Sequence, residues 1–148
     1  LDQNNGLLSG TPKTVLSKLQ RVQNAAAKVI VGAKKHDHVT EILYDLHWLR
    51  IEERIMFKIL LLTYKALNNE GPAYIKEQLE PYQPHCPLRS AKGLLLSIPR
   101  YKLVTYGDRA FAISAPKLWN SIPQDIRESC STKSFKKSLK TYLFKHSY

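Results

Sequence analysis

Lysine and arginine recur at helical spacing in three places, and this recurrence is the strongest chemical signal in the chain. Lys18, Arg21 and Lys28 share one helical face, Arg54, Lys58 and Lys65 a second, and Lys133, Lys136, Lys137 and Lys140 a third. Cations in such stripes neutralise phosphates and release condensed counterions, which gives affinity independent of base sequence. Arg89, Lys92, Arg100, Lys102 and Arg109 form a looser group around a proline-rich stretch, with Tyr82, Tyr101 and Tyr106 among them. Those rings are either platforms on which bases stack or half-buried connectors. No base-reading helix is specified, so contact with the nucleic-acid backbone is the expected mode. One stripe alone reads better as an ordinary solvated face; three stripes together with the overall charge favour nucleic acid.

Other chemistries find less support. His36, His38, His47, His85, His146, Cys86 and Cys130 are competent metal ligands, but only His36-Asp-His38 and His85-Cys86 are close in sequence. Two paired ligand clusters, the mark of a zinc site, are missing, so no metal and no cofactor are expected. Cys130 has no positional relation to a histidine, and there is no Gly-x-Ser-x-Gly elbow. Asp45, Glu52, Glu53, Asp108 and Asp125 are the carboxylates available for acid–base or metal-ion work. A Tyr-x-Asp-Asp type pair is absent, so the carboxylate cluster that two-metal phosphoryl chemistry requires cannot be assembled from this chain alone. Asp108, before Arg109, reads as a helix cap or a local ion partner. No catalytic residue is assigned.

The formal net charge is +11 over 148 residues, with 43% hydrophobic and 24% charged residues. Residues 1–74 hold ten Lys/Arg against seven Asp/Glu, and residues 75–148 hold thirteen against five. The second half therefore sets up a field attractive to polyanions. Nucleic acid leads as partner, an anionic membrane surface comes second, and plain solubility is the bland alternative. Two cysteines make no disulfide framework, and both are expected as free thiols in a reducing compartment. Leu1 to Gly10 lacks the basic start and apolar run of a secretory leader. The start without Met suggests a piece of a longer chain, nuclear or cytoplasmic and not secreted. The longest apolar run, Ile55 to Leu67, is too short to span a bilayer.

The elements that must position these cations are mostly helices. A turn at Ser9-Gly-Thr-Pro12 precedes a helix over about 13–31, with Val15, Leu19, Val22, Ala26, Val29 and Ile30 as its apolar face. The run Ala25-Ala-Ala27 would admit another helix closely, and Gly32 ends the segment. Thr40 can cap a short helix that ends near Trp48. The segment 51–68 is apolar almost all round except for the Arg54/Lys58/Lys65 stripe, so it is expected at the centre of the fold. A short helix follows over 73–79. Prolines 81, 84, 87 and 99 then forbid a long helix. Leu94–Ile98 and Tyr101–Thr105 form two extended segments or a hairpin. Helical character resumes from Gly107, with Pro116 opening a new turn. Ser131 or Thr132 caps a last helix to about His146, with Phe135, Leu139, Tyr142 and Leu143 inward. Trp48 and Trp119 are expected as core anchors at helix ends.

Five motifs carry a family resemblance. They are Leu19-Gln-Arg-Val-Gln-Asn-Ala-Ala-Ala27, Asp45-Leu-His-Trp-Leu49, Phe57-Lys-Ile-Leu-Leu-Leu-Thr-Tyr-Lys-Ala-Leu67, Tyr106-Gly-Asp-Arg-Ala-Phe111 and Ala115-Pro-Lys-Leu-Trp-Asn-Ser-Ile-Pro123. In this order the chain resembles, over nearly its whole length, the region after the palm in non-LTR (LINE/jockey-like) retrotransposon reverse transcriptases. The resemblance implies the non-catalytic thumb and tail of an RNA-directed DNA polymerase, with the catalytic carboxylates upstream of Leu1. It implies RNA, DNA and their hybrid as partners, together with the upstream palm. The implied grip residues are Lys18, Arg21, Lys28, Lys58, Lys65, Arg109 and Lys117. The cysteine–histidine knuckle common in that family is missing here. The other reading is an inactive remnant or host-derived helical module that binds protein and self-associates. An exposed apolar face on the first helix would favour that reading, and a continuous positive groove would favour nucleic-acid grip.

The expected fold is all-α: about six helices in a small irregular bundle with a Pro-rich extended connection. Three segments are anticipated: a thumb-like helical unit at 1–80, the connection at 81–106, and a basic helical unit at 107–148.

Overall fold

The computed structural model describes residues 4–83, 94–101, 107 and 109–148. Within them a 3-10 turn at Asn5–Leu8 leads into seven α-helices. These are α1 Lys13–Val31, α2 Val39–Asp45, α3 Ile51–Leu67, α4 Ala73–Lys76, α5 Phe111–Ser121, α6 Gln124–Arg127 and α7 Thr132–Ser147. The fold is all-α, as the periodicity required. The expected joins at His85–Cys86, at Arg89 and Lys92, at Lys102 to Tyr106 and at Asp108 lie outside the described residues.

Local chemistry sets several boundaries. Gly32 closes α1 at φ 70, with its N–H turned back to the carbonyls of Lys28 and Val29; glycine takes this left-handed conformation without a Cβ clash. Ser131 opens α7 by accepting the Ser134 N–H through its hydroxyl at 3.2 Å. Thr40 does not cap α2; the helix begins one residue earlier, behind His38, with no side-chain cap. Pro116 does not open a helix either, because it lies inside α5 and is fully buried. There it costs the intrahelical bond to the carbonyl of Ala112. α6 was not foreseen; it is one turn long, follows Pro123 and buries Ile126 and Arg127.

α3 is the centre. It packs against α1, α4, α5, α7 and the 3-10 turn. Its Ile51, Ile55, Ile59, Leu60, Thr63, Tyr64 and Ala66 are buried. One core cluster unites all of these but Thr63 with Trp119 of α5 and Phe135, Leu139 and Leu143 of α7. Helical stretches on either side of the proline-rich connection therefore share a single core. Tyr64 stacks on Phe135 with ring centroids 4.2 Å apart at 16°, and donates its hydroxyl to the carbonyl of Ser129 at 2.7 Å. A buried phenol needs such an acceptor.

The segment from Leu94 is held by α5. The Trp119 indole N–H donates to the Leu94 carbonyl at 2.7 Å. The Asn120 carboxamide grips Leu96 twice, accepting from its N–H at 3.0 Å and donating to its carbonyl at 2.8 Å. The Trp-Asn pair is thus a clamp on an extended strand. Leu96 forms an isolated antiparallel bridge with Pro81, supported by Tyr82 N–H to Leu95 O and Ser97 N–H to Glu80 O. Leu94–Ile98 is thus an extended segment that meets the residues around Pro81; its expected companion at Tyr101–Thr105 lies, beyond Tyr101, outside the described residues.

α1 departs most from its periodicity. Its buried positions are Gln23 and Ala27, with Leu16 and Leu19 half-buried against the core. Apart from Leu19, the expected apolar face is turned outward: Val15 is 42% exposed, Val22 56%, Val29 81% and Ile30 60%. The cause is polar docking. Gln20 Oε1 accepts the Ile51 N–H at 2.9 Å, satisfying an orphan donor at the start of α3. Gln23 Nε2 donates to the Leu49 carbonyl at 2.8 Å.

Candidate nucleic-acid interface

The corner between α2 and α3 organises the site. His47 sits at φ 52, and the turn closes through Trp48 N–H to the Leu43 carbonyl. The Leu49 carbonyl takes a second bond from Arg54 Nε at 3.0 Å. That bond, with the guanidinium carbon 5.7 Å from the Trp48 ring centroid, fixes Arg54 over the indole. Trp48 is half-exposed. It is a wall of the site and not a core anchor, whereas Trp119 is 1% exposed and does anchor the core.

One turn after Arg54 comes Lys58, exposed on the same face of α3. α7 lies along α3 and brings Lys140 to the same place. Arg54, Lys58 and Lys140 thus line one cleft of about 470 Å³, with His47 and Trp48 on its wall and Phe57 and Leu61 in its lining. Two stripes recognised separately in the sequence meet here. The remaining α7 cations, Lys133, Lys136 and Lys137, are exposed along the same helix. Lys65 stays on the α3 stripe, half-buried and outside the cleft lining.

The other candidates are dispersed. Arg21 lines a separate cleft of about 390 Å³ with Lys13 and Arg50, where Glu52 and Glu53 dilute the positive field. Lys18 is exposed on α1. Lys28 donates to the Lys35 carbonyl at 2.6 Å and ties down the loop after α1. Arg109 Nε donates to the Gly10 carbonyl at 3.0 Å. Its side chain passes so close that a Cβ on Gly10 would meet Arg109 Cγ at 2.7 Å. Lys117 donates to the Tyr101 hydroxyl at 2.7 Å and lies 4.7 Å from that ring's centroid. Arg109 and Lys117 therefore serve intramolecular contacts, and Tyr101 is a half-buried connector. Tyr82 is exposed.

A group of rings beside the cleft escaped the sequence reading. His47 stacks on Phe144 at 5.6 Å and 11°, and Phe144 also meets Tyr44 at 5.2 Å and Tyr148 at 4.9 Å. The Tyr148 hydroxyl donates to the Trp48 carbonyl at 2.8 Å, and the Arg50 guanidinium carbon lies 5.2 Å from the Tyr148 centroid. The rings pin the end of α7 to the α2–α3 corner. Aromatics at i and i+4, Phe144 in the last turn of α7 and Tyr148 just beyond its end, were the available signal.

Among the described residues, no three His, Cys, Asp or Glu side chains gather as a metal site, and Cys130 is an exposed thiol. No helix among them is long and apolar enough to cross a membrane. In comparisons with protein-family models, curated proteins and solved structures, the chain finds no match.

Proposed function

We propose that this chain is the non-catalytic C-terminal part of a reverse transcriptase-like retrotransposon protein, gripping template RNA and primer or target DNA through backbone contacts. The observation that supports it is the convergence of Arg54 and Lys58 from α3 with Lys140 from α7 on one cleft. Phosphates laid along that cleft and the α7 stripe would be neutralised without any base being read. In this reading the polymerase carboxylates belong to an upstream palm, and the chain contributes hold and not chemistry.

The test is a salt titration of binding to a labelled RNA–DNA hybrid. Three contacts in the cleft give a slope of about −2.7 in log K against log[salt], at about −0.9 per contact on the duplex-DNA reference. Lys58→Ala with Lys140→Ala should weaken binding and shrink the slope by about 2. A pair of changes on α1, Lys18→Ala with Arg21→Ala, should do less. Equal effects from both pairs, or no binding at low salt by a folded chain, would remove the assignment.

A second reading is favoured by α1. Val15, Val22, Val29 and Ile30 are exposed along one helix, a surface suited to a protein partner or a second copy. Under that reading Val22→Glu with Val29→Glu would abolish self-association in sedimentation and leave hybrid binding unchanged.

A further inference from the structure

Among the described residues, Arg127 combines the deepest burial of a charged side chain with unpaired polar atoms. It closes α6 and is only 9% exposed. Its Nε and Nη1 are buried with no hydrogen-bond partner. An unpaired charge in such a place is costly, so a buried guanidinium is ordinarily paired with an anion. Burial pushes its pKa below the ordinary arginine value, and the neighbouring Glu128 carboxylate partly offsets this.

The surroundings leave the cation as the unspent polar group of a cleft. Arg127 lines a space of about 290 Å³ with Tyr64, Leu67, Asn68, Pro81, Trp119 and the strand from Leu94. The donors around it are committed elsewhere: Tyr64 to Ser129, Trp119 to Leu94, Asn68 to the Tyr64 carbonyl, and Ser129 to Ile126. Glu128 Oε1 accepts from Gln124 at 2.6 Å. Residues 84–93, which join Gln83 to Leu94, contain no Asp or Glu.

We propose that Arg127 and this cleft form a binding site for a carboxylate carried on a small apolar body. A guanidinium matches the two oxygens of a carboxylate in one plane. A phosphate dianion asks for more donors than one guanidinium supplies, and Glu128 at the rim opposes a second negative charge. Leu67, Pro81, Leu96 and Trp119 supply the apolar wall. The volume lies near the small end of ligand pockets, which begin at about 300 Å³. This site is separate from the cationic cleft and uses none of the stripe residues.

The experiment uses the full chain in a Trp48→Phe background, so that Trp119 alone reports by fluorescence. Sodium benzoate, acetate, phosphate and chloride are titrated at constant ionic strength, with thermal unfolding read in parallel. Benzoate is expected to give a saturable rise in Tm and a saturable change in Trp119 emission, with acetate weaker and phosphate and chloride inert. Arg127→Met should abolish both responses and unfold, without ligand, at or above the parent temperature, because an unpaired buried charge is gone. Should Arg127→Met not fold, Arg127→Lys keeps the cation and should bind benzoate roughly tenfold more weakly. Glu128→Gln should tighten benzoate binding. Silence from both carboxylates, an equal response in Arg127→Met, or a stronger response to phosphate would each overturn the proposal. So would a large fall in Tm on Glu128→Gln, which would make Glu128 the internal partner of Arg127.

Discussion

Gln20 and Gln23 allow a test in which burial and hydrogen bonding point to opposite answers. Gln23 is 1% exposed and Gln20 only half-buried, so burial alone makes Gln23 the more sensitive position. The bonding says otherwise. Replacing Gln23 by Leu removes its bond to the Leu49 carbonyl, yet that carbonyl keeps Arg54 Nε at 3.0 Å. Gln20 Nε2 likewise keeps Asn24 Oδ1 at 2.8 Å. No group is orphaned, and the cost should be about 1 kcal/mol. Replacing Gln20 by Leu strips the Ile51 N–H of its acceptor and leaves the oxygens of Gln23 and Asn24 without their donor. One of these sits in a side chain almost wholly removed from solvent, so the loss should reach about 2–3 kcal/mol. At about 2–4 °C of Tm per kcal/mol for a domain of this size, the two variants separate clearly. Denaturant unfolding followed by circular dichroism measures both. If Gln23→Leu loses as much as Gln20→Leu, the hydrogen-bond reasoning at the α1–α3 junction is wrong. Neither change should alter the salt slope of hybrid binding, since both glutamines build the fold.

Three further outcomes follow from the core. Phe135→Ala, at a side chain with no exposed surface that stacks on Tyr64, should cost about 3–5 kcal/mol in a denaturant titration. Asn120→Ala removes both bonds to Leu96 and should cost about 1–3 kcal/mol, with faster hydrogen exchange at the Leu96 amide as its local signature. Burial raises the Tyr64 pKa above the ordinary 10.0, helped by the charges of Glu70 and Cys130 and opposed by the Asn68 hydrogen bond. A raised folded value means the stabilisation is intact below the unfolded pKa and is lost as pH rises through the folded one. Stability should therefore fall from about pH 10 upward, and Tyr64→Phe should flatten that decline in midpoints measured across the alkaline range.

Helices were legible in the sequence because their determinants are local. The boundaries of α1 and α3 follow from spacing, from Gly32 and from the asparagines after Leu67. The inward face of α7 followed from Phe135, Leu139 and Leu143 at helical intervals. The centrality of α3 followed from its nearly complete apolar surface. The strand clamp did not emerge, since Trp119 and Asn120 act on residues distant in sequence.

The sequence by itself determined that this chain is helical, strongly basic and striped with cations, because net charge and 3.6-residue periodicity need no neighbour to be read. Tertiary structure decided which face of α1 is buried, because two glutamines outweigh a row of valines when the start of α3 offers them a donor and an acceptor. It decided that Arg54, Lys58 and Lys140 share a cleft while Arg109 and Lys117 are tied to Gly10 and Tyr101. It also left Nε and Nη1 of the Arg127 guanidinium buried without a hydrogen-bond partner. The physical reason is common to all three: a charge or an amide takes its role from what long-range packing sets beside it, and spacing along one helix does not encode that.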